Sequence, residues 1–151
     1  MTTLSDPDLF ALLTNATTIA VVGASSRPER PSHGIMRKLQ RVGYRVIPVN
    51  PNETSVLGEK AYASLDDVPE RVDIVDVFRR SESTPAIAEA AVRIGAKALW
   101  LQSGIVNEQA AAIATAGGVP VVMDACLGVM HAVLGVASKR PSASGPQSRP
   151  Q

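Results

Sequence analysis

The fold of this chain is decided by residues 19–32, which read IAVVGASSRPERPS. An apolar run of β type breaks into the turn Gly23-Ala24-Ser25, a loop rich in proline and arginine follows, and Ser32 opens a predicted helix. A strand that ends in glycine and leads to a helix N-terminus brings free backbone N–H groups and the positive end of the helix dipole to one point. The stretch therefore predicts a phosphate-binding loop.

Composition limits the class of protein. The chain has 151 residues, which suits one domain, and its 45% hydrophobic but 3% aromatic content predicts a core of Val, Ile, Leu and Ala. A net charge of +1 argues against nucleic acid or an anionic membrane as a partner. The single cysteine, Cys126, excludes an internal disulfide. With no apolar run near ~20 residues and no signal-peptide pattern, we expect a cytoplasmic protein.

Apolar runs alternate with helical patterns along the whole chain, which predicts an α/β fold with a parallel sheet of five strands and helices on both faces. Strands are predicted over residues 18–23, 44–50, 72–78, 98–101 and 119–123. Helices are predicted over 8–15 with Asp6 as the N-cap, over 32–42, from 83 or 84 to 95, from 107 to 117 and over 127–136. Residues 1–137 are predicted to form the domain. Residues 138–151 lack apolar periodicity and are predicted to be a disordered tail.

The ligand of an open α/β sheet lies at the carboxyl ends of its strands. The segments predicted there are polar or contain glycine: 23–25, 50–51, 78–80, 102–104 and 124–126. Together they predict a site for an anionic ligand, with Arg79 and Arg80 adjacent to it. The alternative is that turns at strand ends collect such residues in any protein.

An ordinary NAD site is disfavoured by the same segments. The dinucleotide fingerprint needs three glycines and an acid that binds the ribose. Here only Gly23 fits, Ser25 stands in place of the second glycine, and the second strand ends in Asn50 instead of an acid.

The ordered series of segments resembles the small stand-alone CoA-binding proteins. It comprises 22–25 with Pro28 and Ser32, 43–51, Gly58, Tyr62, 64–65, 73–79, 95–104 and 124–126, and it covers about 14–131. These proteins are similar to the N-terminal CoA-binding domain of the succinyl-CoA synthetase α subunit and of NDP-forming acyl-CoA synthetases. The resemblance implies a three-layer Rossmann-like domain that holds the ADP end of coenzyme A, or of an acyl-CoA, at the strand ends.

The resemblance also implies roles for individual residues. Pyrophosphate would meet the 23–25 turn, the nucleotide would lie beside Asn50 and Pro51, and Gln102 with Gly104 would close the pocket. CoA carries a pyrophosphate and a 3′-phosphate, which favours nearby arginines. The predicted cofactor-binding set is Gly23, Ala24, Ser25, Arg27, Pro28, Arg30, Ser32, Asn50, Pro51, Phe78, Arg79, Gln102 and Gly104.

The residues that suggest catalysis have simpler interpretations. Cys126 is interpreted as an inert small hydrophobe that follows a buried strand, His33 and His131 as structural or solvated, and Asp73 and Asp76 as polar groups at a strand edge and a sheet end. No metal-ligand spacing is present in the sequence.

The leading hypothesis is a CoA-binding protein without readable catalysis. The alternatives are a small enzyme acting on CoA thioesters through Cys126, His33 or Asp124, and a CoA-sensing partner of an acyl-CoA enzyme. The sequence leaves open whether the chain binds a protein partner or forms a homo-oligomer.

Overall fold

Five parallel strands form the central sheet of this protein, whose computed structural model describes residues 4–139. In chain order the strands of this sheet are β1 (Thr18–Val22), β2 (Arg45–Val49), β5 (Ile74–Val77), β6 (Ala98–Leu101) and β7 (Val121–Val122). They lie in the order β2-β1-β5-β6-β7, and every neighbouring pair is parallel. The predicted α/β fold with a five-stranded parallel sheet is confirmed.

Helices cover both faces of the sheet. They are α1 (Asp6–Asn15), α2 (Pro31–Arg41), α3 (Thr84–Arg93), α4 (Glu108–Ala116) and α5 (Leu127–Val133). One apolar cluster joins the sheet to α3 and α4 through residues such as Ala91 and Ala114. A second cluster joins the other face to α1, α2 and α5 through Leu13, Leu39 and Leu127. The Rossmann-like arrangement of three layers follows from these two cores.

Strand β1 shows why the central strands are apolar throughout. All five of its residues are buried. Ile19 and Val21 belong to the cluster under α1, α2 and α5, whereas Ala20 and Val22 belong to the cluster under α3 and α4. Because successive side chains of a strand point to opposite faces, a strand covered on both sides needs an unbroken apolar run.

The strand order places a crevice beside β1. β2 lies on one side of β1, and β5, the next strand of the sheet along the chain, lies on the other side of β1. The direction in which successive strands are added to the sheet therefore reverses at the β1–β5 pair. Loops that leave the carboxyl ends of two such strands diverge to opposite faces of the sheet and open a space between them. This space contains the candidate site.

Several local features differ from the sequence-based expectation. Ser5, and not Asp6, caps α1, because its side chain accepts a hydrogen bond from the backbone nitrogen of Asp8. A small antiparallel hairpin of β3 (Ser55–Val56) and β4 (Glu59–Lys60) was not predicted. Its turn residues Leu57 and Gly58 both have positive φ, 49° and 82°, which is the geometry of a type I′ turn.

The end of the described chain contacts the domain. The sequence predicts a tail from residue 138, but Ser138 Oγ donates to the carbonyl oxygen of Val42 at 3.2 Å, and the Lys139 backbone nitrogen donates to the same oxygen at 2.7 Å. The rest of the predicted tail, 140–151, lies outside the described residues. Within 4–139, no helix is both long and apolar enough to cross a membrane.

Candidate functional site

A cavity of about 800 Å³ lies at the carboxyl ends of the strands. Nine of the thirteen predicted ligand residues line it: Gly23, Ser25, Arg27, Arg30, Ser32, Asn50, Phe78, Arg79 and Gln102. The other four lie around it. Ala24 is buried beneath the loop, Pro28 and Pro51 are exposed, and the Gly104 backbone nitrogen donates to Asp124 Oδ1 at 2.7 Å.

The turn after β1 requires glycine for two reasons. Gly23 has a φ of +90°, a region that residues with a side chain rarely adopt. A Cβ at this position would also lie 3.0 Å from the carbonyl oxygen of Phe78, the residue that follows β5. The backbones of the two loops therefore approach each other closely, which lets the Gly23 turn border the cavity without a side chain in the way.

The loop between β1 and α2 is held by the loop that follows β2. Asn50 Nδ2 donates to the carbonyl oxygen of Ala24 at 2.8 Å, while its Oδ1 accepts from the Asn52 backbone nitrogen at 2.9 Å. The backbone nitrogen and the hydroxyl of Ser26 both donate to Glu53 Oε2, at 2.9 and 3.1 Å. These bonds fix one wall of the cavity before a ligand arrives.

Helix α2 begins at the cavity with its N-terminal end uncompensated. Arg30 is the N-cap residue, it makes no side-chain capping hydrogen bond, and the first turn contains no acid. Pro31, Ser32 and Gly34 of this first turn line the cavity. Pro31 carries no N–H, and the His33 N–H donates to the Arg30 carbonyl oxygen at 3.0 Å. The positive end of the helix dipole is therefore the main feature of this turn that favours an anion.

Three arginines add positive charge to the same cavity. Arg27, Arg30 and Arg79 line it, whereas Arg80 is exposed and does not. Arg27 also pairs with Glu29 at 3.2 Å, but both side chains are 64% exposed, so this ion pair is weak and easily exchanged for a ligand anion. Arg79 borders a second cavity as well, of about 360 Å³, lined by residues of α3.

On the β6 side of the cavity lies Gln102, which directly follows β6 and whose Nε2 donates to Asp76 Oδ1 at 2.5 Å. The interpretation of Asp76 as a group at the sheet end is wrong, because this residue lies within β5 and is completely buried. Burial raises the pKa of Asp76 to about 7, against the opposing effect of the Gln102 hydrogen bond. Its Oδ2 has no hydrogen-bond partner among the described residues.

Asp73 has a different role at the amino end of β5. Its Oδ2 accepts hydrogen bonds from the backbone nitrogens of Thr17 and Thr18 at 2.8 and 3.1 Å and from the Thr17 hydroxyl at 3.1 Å. Burial alone would raise its pKa, but these hydrogen bonds and the charge of Lys97 outweigh it, and the pKa is lowered. Asp73 therefore connects the start of β5 to the start of β1, away from the cavity, which agrees with its interpretation as a structural polar group.

Sequence reasoning missed several residues that line the cavity: Pro31, Gly34, Ile35, Asn52, Ser103, Ile105 and Cys126. Ser103 and Cys126 belong to the strand-end segments, which gave a signal for them. Ile35 and Ile105 gave none, because an apolar residue that faces a cavity has the same pattern as one that faces the core.

Of the residues that suggested catalysis, Cys126 lines the cavity and His33, His131 and Asp124 do not. Cys126 lines the cavity as the N-cap residue of α5, while His33 is buried in α2 and does not line it. His131 packs edge-on against the Tyr44 ring at 5.9 Å, and burial together with Lys38 and Lys139 lowers its pKa. Between residues 4 and 139, no group of three or more acidic, histidine or cysteine side chains could hold a metal ion.

Known proteins resemble this chain over almost the whole described domain. A sequence model of the CoA binding domain matches residues 17–132. The uncharacterized protein YneT of Bacillus subtilis (strain 168) is 43% identical over 129 residues, which cover 85% of this chain and 96% of YneT. A hypothetical protein from Pyrococcus horikoshii OT3 superposes with a TM-score of 0.85 at 38% identity, covering 87% of this chain and 93% of that one.

A larger enzyme contains a related segment. The ADP-forming acetate–CoA ligase II of Archaeoglobus fulgidus is 31% identical over 93 residues, which make up 60% of this chain and 14% of the ligase. The chain thus corresponds to a small part of that enzyme. The family match spans every strand of the sheet and the cavity at their ends. This chain therefore belongs to the CoA binding domain family and is related to the ADP-forming acetate–CoA ligases.

Proposed function

We propose that this chain binds coenzyme A or an acyl-CoA, with the ADP and pyrophosphate part in the cavity at the carboxyl ends of β1, β2 and β5. One observation carries the proposal: the glycine turn at Gly23, the uncapped start of α2 and three arginines border a single cavity. Backbone N–H groups and guanidinium groups are the donors that phosphates bind best. Family membership supports CoA as the source of these phosphates.

The pyrophosphate would lie against the Gly23 turn and the first turn of α2, where Ser25 and Ser32 add hydroxyl groups. Arg27, Arg30 and Arg79 would bind the remaining phosphate charge, including the 3′-phosphate. Ala24 would contribute only its backbone. Pro28, Pro51 and Gly104 would shape the surrounding loops, because they do not line the cavity.

The residue at the end of β2, where the nucleotide would lie, favours CoA over NAD. An NAD site offers a carboxylate to the ribose hydroxyls at the end of the second strand. Asn50 occupies this place, and both ends of its carboxamide are already used, by the Ala24 carbonyl and the Asn52 nitrogen. We infer that Asn50 supports the loop and that Phe78 contributes an apolar contact.

We propose binding without chemistry as the main activity. The buried acid Asp76 lies behind Gln102, and among the described residues no hydrogen bond joins Cys126 to a base. A CoA-sensing role beside an acyl-CoA enzyme agrees with this proposal, since relatives include a protein named acetate–CoA ligase II subunit alpha of Pyrococcus furiosus. A cytoplasmic location and a protein partner or homo-oligomer belong to the same proposal.

Titration calorimetry with CoA, dephospho-CoA and NAD tests the proposal. We expect CoA to bind, dephospho-CoA to bind more weakly because it lacks the 3′-phosphate, and NAD not to bind. Equal affinity for CoA and NAD, or no CoA binding at millimolar concentration, contradicts it.

The enzyme alternative has its own test, favoured by the position of Cys126 in the cavity. If Cys126 acts on thioesters, the parent chain hydrolyses acetyl-CoA or succinyl-CoA and Cys126→Ala does not. We expect no turnover in either protein, together with similar CoA affinity.

A further inference from the structure

A fully buried carboxyl group lies one hydrogen bond away from the cavity. Asp76 is in β5, a central strand, and pairs in register with Trp100 of β6 on one side and with Val21 of β1 on the other. These neighbours are apolar and buried. Placing a carboxyl group there is costly, because the group loses its hydration and one of its oxygens, Oδ2, has no partner among the described residues.

The hydrogen bond that Asp76 accepts comes from a residue of the cavity. Gln102 follows β6 by one residue and lies on the same sheet face as Trp100, because it is two residues further along the chain. The residue is only 4% exposed, yet it borders the cavity. Its Nε2 donates to Asp76 Oδ1 at 2.5 Å. Because the carboxamide nitrogen of Gln102 is hydrogen-bonded to Asp76, the carboxamide oxygen Oε1 points away from Asp76 and can accept a hydrogen bond.

We propose that Asp76 is a positioning residue that fixes the carboxamide of Gln102 so that Oε1 faces the cavity as a hydrogen-bond acceptor. A carboxylate accepts only, so it selects the amide nitrogen of its neighbour and excludes the flipped orientation. The cavity then offers phosphate donors beside the first turn of α2 and a hydrogen-bond acceptor beside the carboxyl end of β6. This acceptor selects a ligand group that carries an N–H or O–H donor.

The inference rests on the proposed function and makes it more specific. The pantetheine arm of CoA carries amide N–H groups. The adenine amino group and the ribose hydroxyl are donors as well, but we place the nucleotide beside Asn50 at the end of β2, three positions from β6 in the sheet. We therefore assign the β6 side of the cavity, with Gln102, to the pantetheine arm, and the β1 side, with Arg27 and Arg30, to the nucleotide. Asp76 touches neither part and acts through Gln102.

Two ligands separate this role from a general structural one. The variants Asp76→Val, Gln102→Leu and the double variant are titrated at pH 8 with CoA and with 3′-phospho-ADP, which lacks the arm. Valine suits a buried position in a β-strand, so the fold should be retained, which circular dichroism checks. Asp76→Ala serves as a second variant at the same position.

We expect each single variant to bind CoA roughly five- to tenfold more weakly, as for the loss of one hydrogen bond, and to bind 3′-phospho-ADP within about twofold of the parent. The double variant should be no weaker than the single ones by more than about twofold, since both remove the same contact. Asp73→Asn, at the far end of β5, is the matched control and should leave both affinities unchanged.

The inference is overturned if the Asp76 variants lose affinity equally for CoA and for 3′-phospho-ADP, or if their affinity for CoA is unchanged. In either case, binding of CoA by the parent protein still supports the proposed function. Additive losses in the double variant overturn the inference as well. If the parent binds neither CoA nor 3′-phospho-ADP, the proposed function fails and the inference fails with it.

Discussion

Asn50 donates a hydrogen bond to the backbone carbonyl oxygen of Ala24 over 2.8 Å, and this bond connects the end of β2 to the loop that follows β1. The two loops form one wall of the cavity. The amide at position 50 is therefore used by the protein itself, and this structural use can be separated by mutation from the effect that we propose on the choice of nucleotide.

Asn50→Asp is expected to weaken CoA binding and not to create NAD binding. The new carboxylate has no donor for the Ala24 carbonyl oxygen and faces it with like partial charge, which should cost about 1–3 kcal/mol of folding free energy. Calorimetry with CoA and NAD measures the binding, and urea denaturation measures the stability. A variant that gains NAD and keeps CoA contradicts our interpretation of Asn50.

Arg79→Ala is expected to weaken CoA binding by about 1.5–3 kcal/mol, the value of a charge-assisted hydrogen bond. Arg80→Ala is the matched control, because Arg80 is the next residue but is exposed and does not line the cavity. Both variants are titrated with CoA at the same ionic strength. Equal losses in the two variants would indicate a general charge effect and contradict the assignment of Arg79.

Asp76→Asn is expected to change how stability depends on pH. The pKa of Asp76 is about 7 in the folded protein and near 4 in the unfolded chain, so unfolding releases a proton between these values. The free energy of unfolding of the parent therefore falls as pH rises through this window and is level above it. Asparagine removes this titration.

Urea denaturation of both proteins at pH 5 and pH 8 measures the difference. Relative to Asp76→Asn, the parent should lose about 3 kcal/mol between the two pH values. Comparing the two proteins cancels the contribution of His131, whose lowered pKa favours folding as pH rises. A constant difference would show that Asp76 does not titrate in this range.

A chain that ends at Lys139 is expected to be more stable than one that ends at Ala137. The longer chain keeps the two hydrogen bonds to the Val42 carbonyl oxygen, the contact of Lys139 Nζ with the Thr14 carbonyl oxygen, and the Lys139 ammonium 5.3 Å from the Tyr44 ring centroid. Thermal melting of the two truncated chains compares them directly. Identical melting temperatures would place the end of the domain at residue 137.

The sheet was predictable because its strands are buried on both faces. Strand segments such as Ile74–Val77 differ clearly from the helical periodicity of the segments between the strands. The observed bounds of β6 are the same as its predicted bounds. The β3–β4 hairpin was not predictable in this way. Its strands have two residues each, and a leucine occupies a turn position with positive φ, where glycine or asparagine is the usual signal.

The site was predictable where backbone geometry dictates residue type. Gly23 is visible in the sequence because its φ and its contact with the Phe78 carbonyl exclude a side chain. The same contact means that Gly23→Val should destabilise the fold, so this variant cannot report on the ligand alone. The pairing of Asp76 with Gln102 was not predictable, because an aspartate inside an apolar strand does not indicate its partner 26 residues away.

Trp100 gives the protein an internal optical reporter. It is the single tryptophan of the chain, it is completely buried, and its indole nitrogen donates to the Ala125 carbonyl oxygen at 2.9 Å. Ala125 directly precedes Cys126, which lines the cavity. A ligand that displaces this loop would change the hydrogen bond at the fluorophore, so the emission of a single residue would then report occupancy of the cavity without any label.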